Sequence, residues 1–295
     1  MGRLRFLAAS DLEARDDYIA KIAEADLSKY DFFLYKGDTP DPSMYKKIRR
    51  EQTLRGEAWE KRSSFSLLED YPETVAAFTE AIDASRKIND LFGRIKAQIP
   101  LVGVLGNSDT APTVIAPKIG LEPVDFGAHM TLIHSKMIEF KGYNLIGYNG
   151  RAQYIDETVV DAPHLYFNEQ EAEANLEALF QQVDPGKTVF VTHAPPYGVL
   201  DDVEPDWIPY GVATYGDKAK DGHIGSDAIG NIAFKYQPLL HTFGHIHERS
   251  GVTKKGNTVF FNGGSLGETG EVEEVIIDGD EVTCRWLKVD ELGRK

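Results

Sequence analysis

A single cysteine, Cys284, stands in a chain of 295 residues. One thiol forms no disulfide within the chain, which fits a reducing cytoplasm. Any metal site must draw instead on the eight histidines, on carboxylates and on amides. No apolar run approaches the ~18–20 residues that a bilayer-crossing helix requires, so no membrane partner is expected. The start, Met1-Gly2-Arg3-Leu4-Arg5-Phe6-Leu7, is basic and then apolar. Its apolar part is short and runs into Asp11, so it reads as a first strand and not as a signal peptide. Positive charge is in deficit: 32 Lys and Arg face 47 Asp and Glu, for a formal net charge of −15. That speaks against duplex nucleic acid, whose binding needs a basic surface. The acidity favours solubility, and a bound pair of dications would still reverse the sign locally and draw phosphate in. GxxxxGK(S/T) does not occur, Gly-x-Ser-x-Gly occurs at Gly263-Gly264-Ser265-Leu266-Gly267, and Cys284 falls in an expected hairpin strand. A P-loop and a nucleophilic cysteine therefore lack support.

What is present is enough length and enough apolar content (42%) for one large domain. Leu4–Ala9, Asp31–Tyr35, Leu101–Leu105, Thr188–Thr192 and Leu239–Phe243 are continuous runs rich in Val, Ile, Leu and Phe. Continuous runs suit strands covered on both faces, and such sheets present ligands outside their strand ends. Helices are expected from Asp16 to Leu27 and over Asn168–Phe180. Residues 43–99 stand apart. Met44–Arg62 is charged and reads as helix, and Tyr71-Pro72 breaks it, with Pro72 suited to a helix start. Val75, Phe78, Ile82, Ser85, Ile88, Phe92 and Ile95 then recur at helical spacing. This insertion reads either as helices packed on the sheet edge or as a cap that selects substrate. Residues 130–150 read as a hairpin of Thr131–Ile133 and Lys136–Phe140, followed by Tyr143–Tyr148. Thr258–Phe261, Val272–Ile277 and Glu281–Leu287 are further strands, with Asp278-Gly279 as a hairpin turn. The expected class is α/β: a two-sheet αββα sandwich forming a single domain over residues 1–295, with a helical insertion at 43–99.

Chemistry-bearing residues close the apolar runs. Asp11-Leu12-Glu13 follows the first, Gly37-Asp38 the second and Gly106-Asn107-Ser108-Asp109 the third. His193 closes Val191-Thr192-His193, and the last run leads into Gly244-His245-Ile246-His247. These supply the oxygen and imidazole donors that a divalent cation takes. Each is weak alone; in this order, at strand ends, they point to metal-assisted phosphoester chemistry.

The chain resembles the calcineurin-like metallophosphoesterase superfamily, whose pattern runs D-x-H, GD, GNH(D/E), H, GHxH. The resemblance extends from Asp11 to His247, with the helical insertion extra. His193-Ala194-Pro195-Pro196-Tyr197-Gly198, His223-Ile224-Gly225-Ser226 and Asn262-Gly263-Gly264-Ser265 bring it nearer to the ICC-like phosphoesterases of bacteria and archaea. It implies the metallophosphoesterase sandwich and two divalent metal ions. Asp11, Asp38 and His247 would hold one ion, and Asp38, Asn107, His193 and His245 the other, with Asp38 shared. It implies that Asp38, Asn107 and His193 are catalytic, through a hydroxide between ions roughly 3.5–4 Å apart that attacks phosphorus in line. The expected partner is a small phosphoester; a homo-oligomer is left open. The leading activity is a phosphodiesterase, with a phosphomonoesterase or a non-catalytic metal- or nucleotide-binding protein of the same fold as alternatives.

Two positions depart from the pattern. Glu13 replaces the first-motif histidine; as a ligand its oxygen favours a harder ion, Mn²⁺ foremost, with Fe, Mg²⁺ or Zn²⁺ as alternatives. Ser108 replaces the third-motif histidine, and a hydroxyl is no general acid near neutral pH. Ser108, Arg151 and His223 are the expected substrate contacts: Arg151 because a guanidinium pairs bidentately with phosphate, His223 because it could replace the missing acid or else cap the helix that follows. Asp109 is expected to anchor its loop. His129, His134, His164 and His241 read as structural, and Tyr197, Trp207 and Tyr210 as packing residues or a platform for a base or sugar.

Overall fold

The computed structural model describes residues 2–41, 72–152, 165–205, 208 and 216–293. Fourteen strands are named here in chain order: β1 Leu4–Ala9, β2 Phe32–Tyr35, β3 Leu101–Gly103, β4 Thr131–Leu132, β5 Lys136–Phe140, β6 Tyr143–Tyr148, β7 Arg151–Ala152, β8 Tyr166–Phe167, β9 Thr188–Thr192, β10 Leu240–Phe243, β11 Gly251–Lys255, β12 Thr258–Asn262, β13 Glu271–Asp278 and β14 Glu281–Lys288. They form a six-stranded sheet in the order β14-β13-β1-β2-β3-β4, a second in the order β11-β12-β10-β9-β6-β5, and the small pair β7-β8. In the first sheet β1 to β4 run parallel and β13 and β14 pair antiparallel on the β1 side; in the second the middle strands are parallel and both outer pairs are antiparallel.

Alternation within β1 explains why its apolar run is unbroken. Phe6 and Ala8 join Phe32, Leu34, Val189, Leu240 and Val275 in the layer between the sheets. Leu7 and Ala9 face the other way, toward the helices α1 (Asp16–Glu24) and α2 (Pro72–Lys96). Ile146 and Phe190 make the matching outward layer of the second sheet, against α3 (Glu169–Phe180) and α4 (Asp227–Tyr236). The result is the αββα sandwich.

Phe78, Ile82, Ser85, Ile88, Phe92 and Ile95 are all buried, so the helical spacing read from the sequence is the packing face of α2. The expected helix over Met44–Arg62 lies outside the described residues. Asn168 caps α3 rather than opening it: its side chain accepts from the Gln170 and Glu171 amides. The hairpin expected from Thr131 needs correction. Thr131–Leu132 pairs in parallel with β3 in the first sheet, and the hairpin is β5 with β6 in the second. The chain crosses between sheets at Ile133–Ser135, where Ser135 takes a positive φ of 51°. Asp278 does pair with Glu281 across a turn in which Gly279 has φ 62°.

Register sets the site. Ala9, Tyr35 and Gly103 lie abreast at the ends of β1, β2 and β3. Val191, Thr242 and Phe261 lie abreast near the ends of β9, β10 and β12. The loops that leave these strand ends therefore emerge together.

Candidate metal centre

The loop after β1 zips onto the loop after β2: the Asp11, Leu12 and Ala14 amides donate to the Gly37, Asp38 and Thr39 carbonyls at 2.8, 2.7 and 2.9 Å. Across the second sheet, the Gly244 amide donates to the His193 carbonyl at 3.0 Å. Glycines permit the close passage. A Cβ on Gly37 would stand 2.3 Å from the Gly106 amide nitrogen, and one on Gly244 would stand 2.5 Å from Asp11 Oδ2. Asp11, Glu13, Asp38 and His245 adopt φ of 53°, 48°, 63° and 72°. Backbone strain in non-glycine residues gathers at functional sites, and here it turns four side chains toward one place.

Two groups of donors result. Ligand atoms of Asp38, His193 and His245 lie within 4.8 Å of one another, and so do those of Glu13, His247 and Glu268. Asp11 joins them: its Oδ2 accepts from the His245 amide at 3.0 Å, and its Oδ1 lies 3.1 Å from His247 Nε2. Asn107 stands beside Asp38, because the Ser108 amide donates to Asp38 Oδ1 at 2.7 Å and the Ser108 hydroxyl to Oδ2 at 2.9 Å. The sequence-derived ligands Asp11, Glu13, Asp38, His193, His245 and His247 are thus brought together, with Asn107 alongside.

Asn107 Oδ1 and His193 Nε2 are buried without a hydrogen-bond partner among the described residues. A buried polar atom left unpaired is costly, and native structures keep few of them. His193 Nδ1 lies 2.8 Å from the Lys36 carbonyl, to which it donates, so in the neutral ring Nε2 carries the lone pair. Asp38 Oδ2, at 3.4 Å, is too far for a well-formed bond to it. Two lone-pair atoms beside a carboxylate, with nothing to donate to them, are what a divalent cation fits.

The electrostatics of the metal-free site agree. Burial opposes charge on His193, but the Asp38 carboxylate beside it prevails and lifts it to about 9. Burial likewise opposes charge on His247, and Asp11 lifts it to about 10. Burial pushes the Asp38 and Asp11 carboxyls up, and the same imidazoles pull them below their ordinary value. Burial drives His245 well below the ordinary imidazole value, aided by the charge on His193. Burial raises Glu13 to about 7. Without cations, protons on His193 and His247 supply positive charge that the carboxylates demand.

Residues outside the expected ligand set hold it in place. Asp109 accepts from the amides of Asp38, Thr39 and Gly106 at 3.1, 2.9 and 2.8 Å, and from the Tyr35 hydroxyl. Asn262 Nδ2 donates to the Ile246 carbonyl at 2.8 Å, and the Ser265 hydroxyl donates to the Asp11 carbonyl at 2.9 Å. The Asn262-Gly263-Gly264-Ser265 stretch therefore ties the His247 loop to the Asp11 loop. Sequence reasoning missed Glu268, which lies 3.0 Å from His247 Nδ1. Its signal was Ser265-x-x-Glu268, a helix-start pattern; Ser265 Oγ accepts from the Glu268 amide at 3.1 Å.

The expected substrate contacts fare differently. Ser108 directs its hydroxyl to Asp38. Arg151 is buried over the Tyr166 ring at 4.7 Å, near enough for its charge to act on His245. His223 lies 2.9 Å from buried Asp201, and the following helix is capped by Ser226 instead. His241 is buried in the second sheet, stacked on Phe190 at 4.3 Å. His164, Trp207 and Tyr210 lie outside the described residues.

Comparison with known proteins identifies the arrangement. The sequence profile of the calcineurin-like phosphoesterases matches residues 4–249. The chain belongs to the calcineurin-like phosphoesterase family. The chemistry of that family is metal-dependent hydrolysis of phosphoesters. Human metallophosphoesterase domain-containing protein 1 is 33% identical over 97 residues, 32% of this chain and 25% of that protein. The match thus spans about a quarter of the length of that curated relative. An uncharacterized protein of Methanocaldococcus jannaschii is 29% identical over 191 residues, 64% of this chain and 72% of its own. The crystal structure of TT1561 from Thermus thermophilus superposes with a TM-score of 0.51 at 16% identity, covering 98% of this chain and 100% of the other. The calcineurin-like phosphoesterase fold is thereby shared. Members usually bind two divalent metals, which the paired donor groups here can accommodate. No helix among the described residues is long and apolar enough to cross a membrane.

Proposed function

We propose that this calcineurin-like phosphoesterase hydrolyses phosphodiesters with two divalent cations. Asp11 and His247, with Glu13, would hold one, Asn107, His193 and His245 the other, and Asp38 both. The observation that carries this is the pair of orphaned atoms: His193 Nε2, 3.4 Å from Asp38 Oδ2, and Asn107 Oδ1, whose neighbour Ser108 donates to the same carboxylate. Two cations there would lower the pKa of a water and neutralise the charge that develops on the phosphoryl oxygens.

The chain's own residues do the rest. The Lys36 carbonyl fixes the His193 tautomer, and Ser108 fixes both oxygens of Asp38. Arg151, buried over the Tyr166 ring with its charge felt at His245, would meet a phosphoryl oxygen; a desolvated guanidinium pairs strongly with phosphate. Carboxylates crowd the half-site around His247, where Glu13 and Glu268 flank one ring nitrogen and Asp11 the other. An oxygen-rich half-site favours Mn²⁺ or another hard ion over Zn²⁺. The same crowding repels a dianionic monoester more than a monoanionic diester, which supports the diester reading.

The test is hydrolysis of bis(p-nitrophenyl) phosphate and p-nitrophenyl phosphate with added Mn²⁺, beside Asp38→Asn. The reading expects faster diester turnover, abolished in the variant. Turnover unchanged in Asp38→Asn would refute the mechanism. Faster monoester turnover would make the protein a phosphomonoesterase, and two bound ions without any turnover would make it a binding protein of this fold.

A further inference from the structure

The third-motif position offers no acid: the Ser108 hydroxyl is directed to Asp38, and a serine does not protonate a leaving oxygen near neutral pH. One pair of residues outside the metal ligands has the form such an acid requires. Asp201 is fully buried, and its Oδ1 lies 2.9 Å from His223 Nδ1. Its Oδ2 accepts from the Gly225 amide at 3.0 Å, so the carboxylate is fixed from both oxygens. The His223 side chain is 36% exposed, its ring lies edge-on to Tyr197 at 5.6 Å, and its Nε2 has no protein partner among the described residues. A buried carboxylate that orients Nδ1 and leaves Nε2 to solvent is the arrangement of a proton-transfer histidine.

The chain ties this pair to the two loops that leave His193 and His247. The Ser226 amide donates to the Pro195 carbonyl and the Tyr197 amide to the Ser226 carbonyl, both at 2.9 Å, so the His223 segment is bound to the turn that leaves His193. Asp202 pairs with His223 in an antiparallel bridge. Arg249, two residues beyond His247, pairs with Asp202 through its guanidinium. Both ends of this strap thus rest on loops that carry ligand histidines.

We propose that the Asp201–His223 pair protonates the leaving group, taking the place that Ser108 leaves open. The proposal rests on the phosphodiesterase reading. As the bond from phosphorus to the attacking water oxygen forms, the bond to the leaving oxygen breaks and that oxygen takes the electron pair. The proton on His223 Nε2 passes to it, and the proton given up by the attacking water returns, through solvent, to the neutral imidazole. Asp201 is a positioning residue that keeps Nδ1–H engaged.

A purely structural pair would affect all substrates alike, so the test varies the leaving group. Methyl p-nitrophenyl phosphate and methyl phenyl phosphate are compared in wild type, His223→Gln and Asp201→Asn, all loaded with Mn²⁺ and matched for metal content and thermal melt. The poorer leaving group should lose about 10²–10⁴-fold in His223→Gln, the span of general acid catalysis, while the activated ester loses little. Added imidazole should restore part of the loss, which keeps the result independent of Asp201→Asn, the variant more exposed to misfolding. Equal losses on both esters, or none, would overturn the proton donor and leave the phosphodiesterase standing. Absence of wild-type turnover on both esters would overturn the two together.

Discussion

Lys36 and Glu273 form a fully buried ion pair behind the metal centre, with Lys36 Nζ 2.9 Å from Glu273 Oε2. The same ammonium donates to the Phe243 carbonyl at 2.6 Å, and the Lys36 carbonyl accepts from His193. Lys36 follows β2 in one sheet, and Phe243 ends β10 in the other. One residue therefore ties the two sheets where the Asp38 and His245 loops depart. Removing one partner of a buried pair leaves the other charge without compensation, at about 3–5 kcal/mol. Lys36→Met should lose that much in urea unfolding, while Lys36→Met with Glu273→Leu should recover most of it. A single variant as stable as wild type would show that the pair carries no such role.

Glu268 accepts on one ring nitrogen of His247 while Asp11 stands at the other. Carboxylates behind ligating histidines fix ring orientation and raise ligand basicity, and losing one costs about 10–100-fold in metal affinity. Glu268→Gln should weaken one of two Mn²⁺ sites by that factor in calorimetric titration and leave the other unchanged. Glu13→Gln in the same titration separates ligation from orientation, since loss of a ligand empties the site. Two unaltered sites in Glu268→Gln would refute its part.

Much of this was legible in the sequence because parallel strands in a doubly covered sandwich write themselves as unbroken apolar runs, and ligands follow such runs at the strand ends. Asp11, Asp38, Asn107 and His193 each followed one, and His245 and His247 both followed the last. Partners set by long-range packing left weaker marks. Lys36 sits beside Gly37-Asp38, and only the approach of β10 and β13 makes its ammonium a strut. Glu268 reaches His247 because Ser265 ties a short helical turn to the Asp11 loop. The false hairpin at Thr131 arose because neighbouring runs look alike whether they pair or separate into two sheets; the deciding contact, β4 with β3, joins segments nearly thirty residues apart.

The metal-free site binds protons where cations fit, and this gives a signature in pH. His193 and His247 are lifted to about 9 and about 10 in the folded state, from an ordinary value of 6.5. A group raised on folding contributes stability that is complete below its unfolded value and is lost as pH rises through its folded value. In chelator, the melting temperature should therefore fall between pH 7 and pH 10 by way of these two groups. Mn²⁺ displaces those protons, so the loaded protein should lack that decline, and binding near neutral pH should release protons, read by calorimetry in buffers of different ionisation enthalpy. Identical pH dependence with and without Mn²⁺ would contradict the assignment of His193 and His247 as ligands.

Gly106 tests whether the cradle depends on backbone alone. A Cβ there would stand 2.0 Å from Asp38 Oδ1 and 2.6 Å from the Asp38 amide nitrogen. Asp38 has little freedom to retreat, since its φ is already 63° and its amide donates to Asp109. Gly106→Ala must displace the shared carboxylate while the apolar layers, which Gly106 does not enter, keep the sandwich folded. A displacement on the order of an ångström at a reacting centre costs about 10²-fold in rate. The variant should retain its far-ultraviolet spectrum, bind fewer than two Mn²⁺ ions by elemental analysis, and lose at least that factor on bis(p-nitrophenyl) phosphate. Full metal content and full activity in Gly106→Ala would mean that Asp38 is free to move, and the shared-ligand role would then fall.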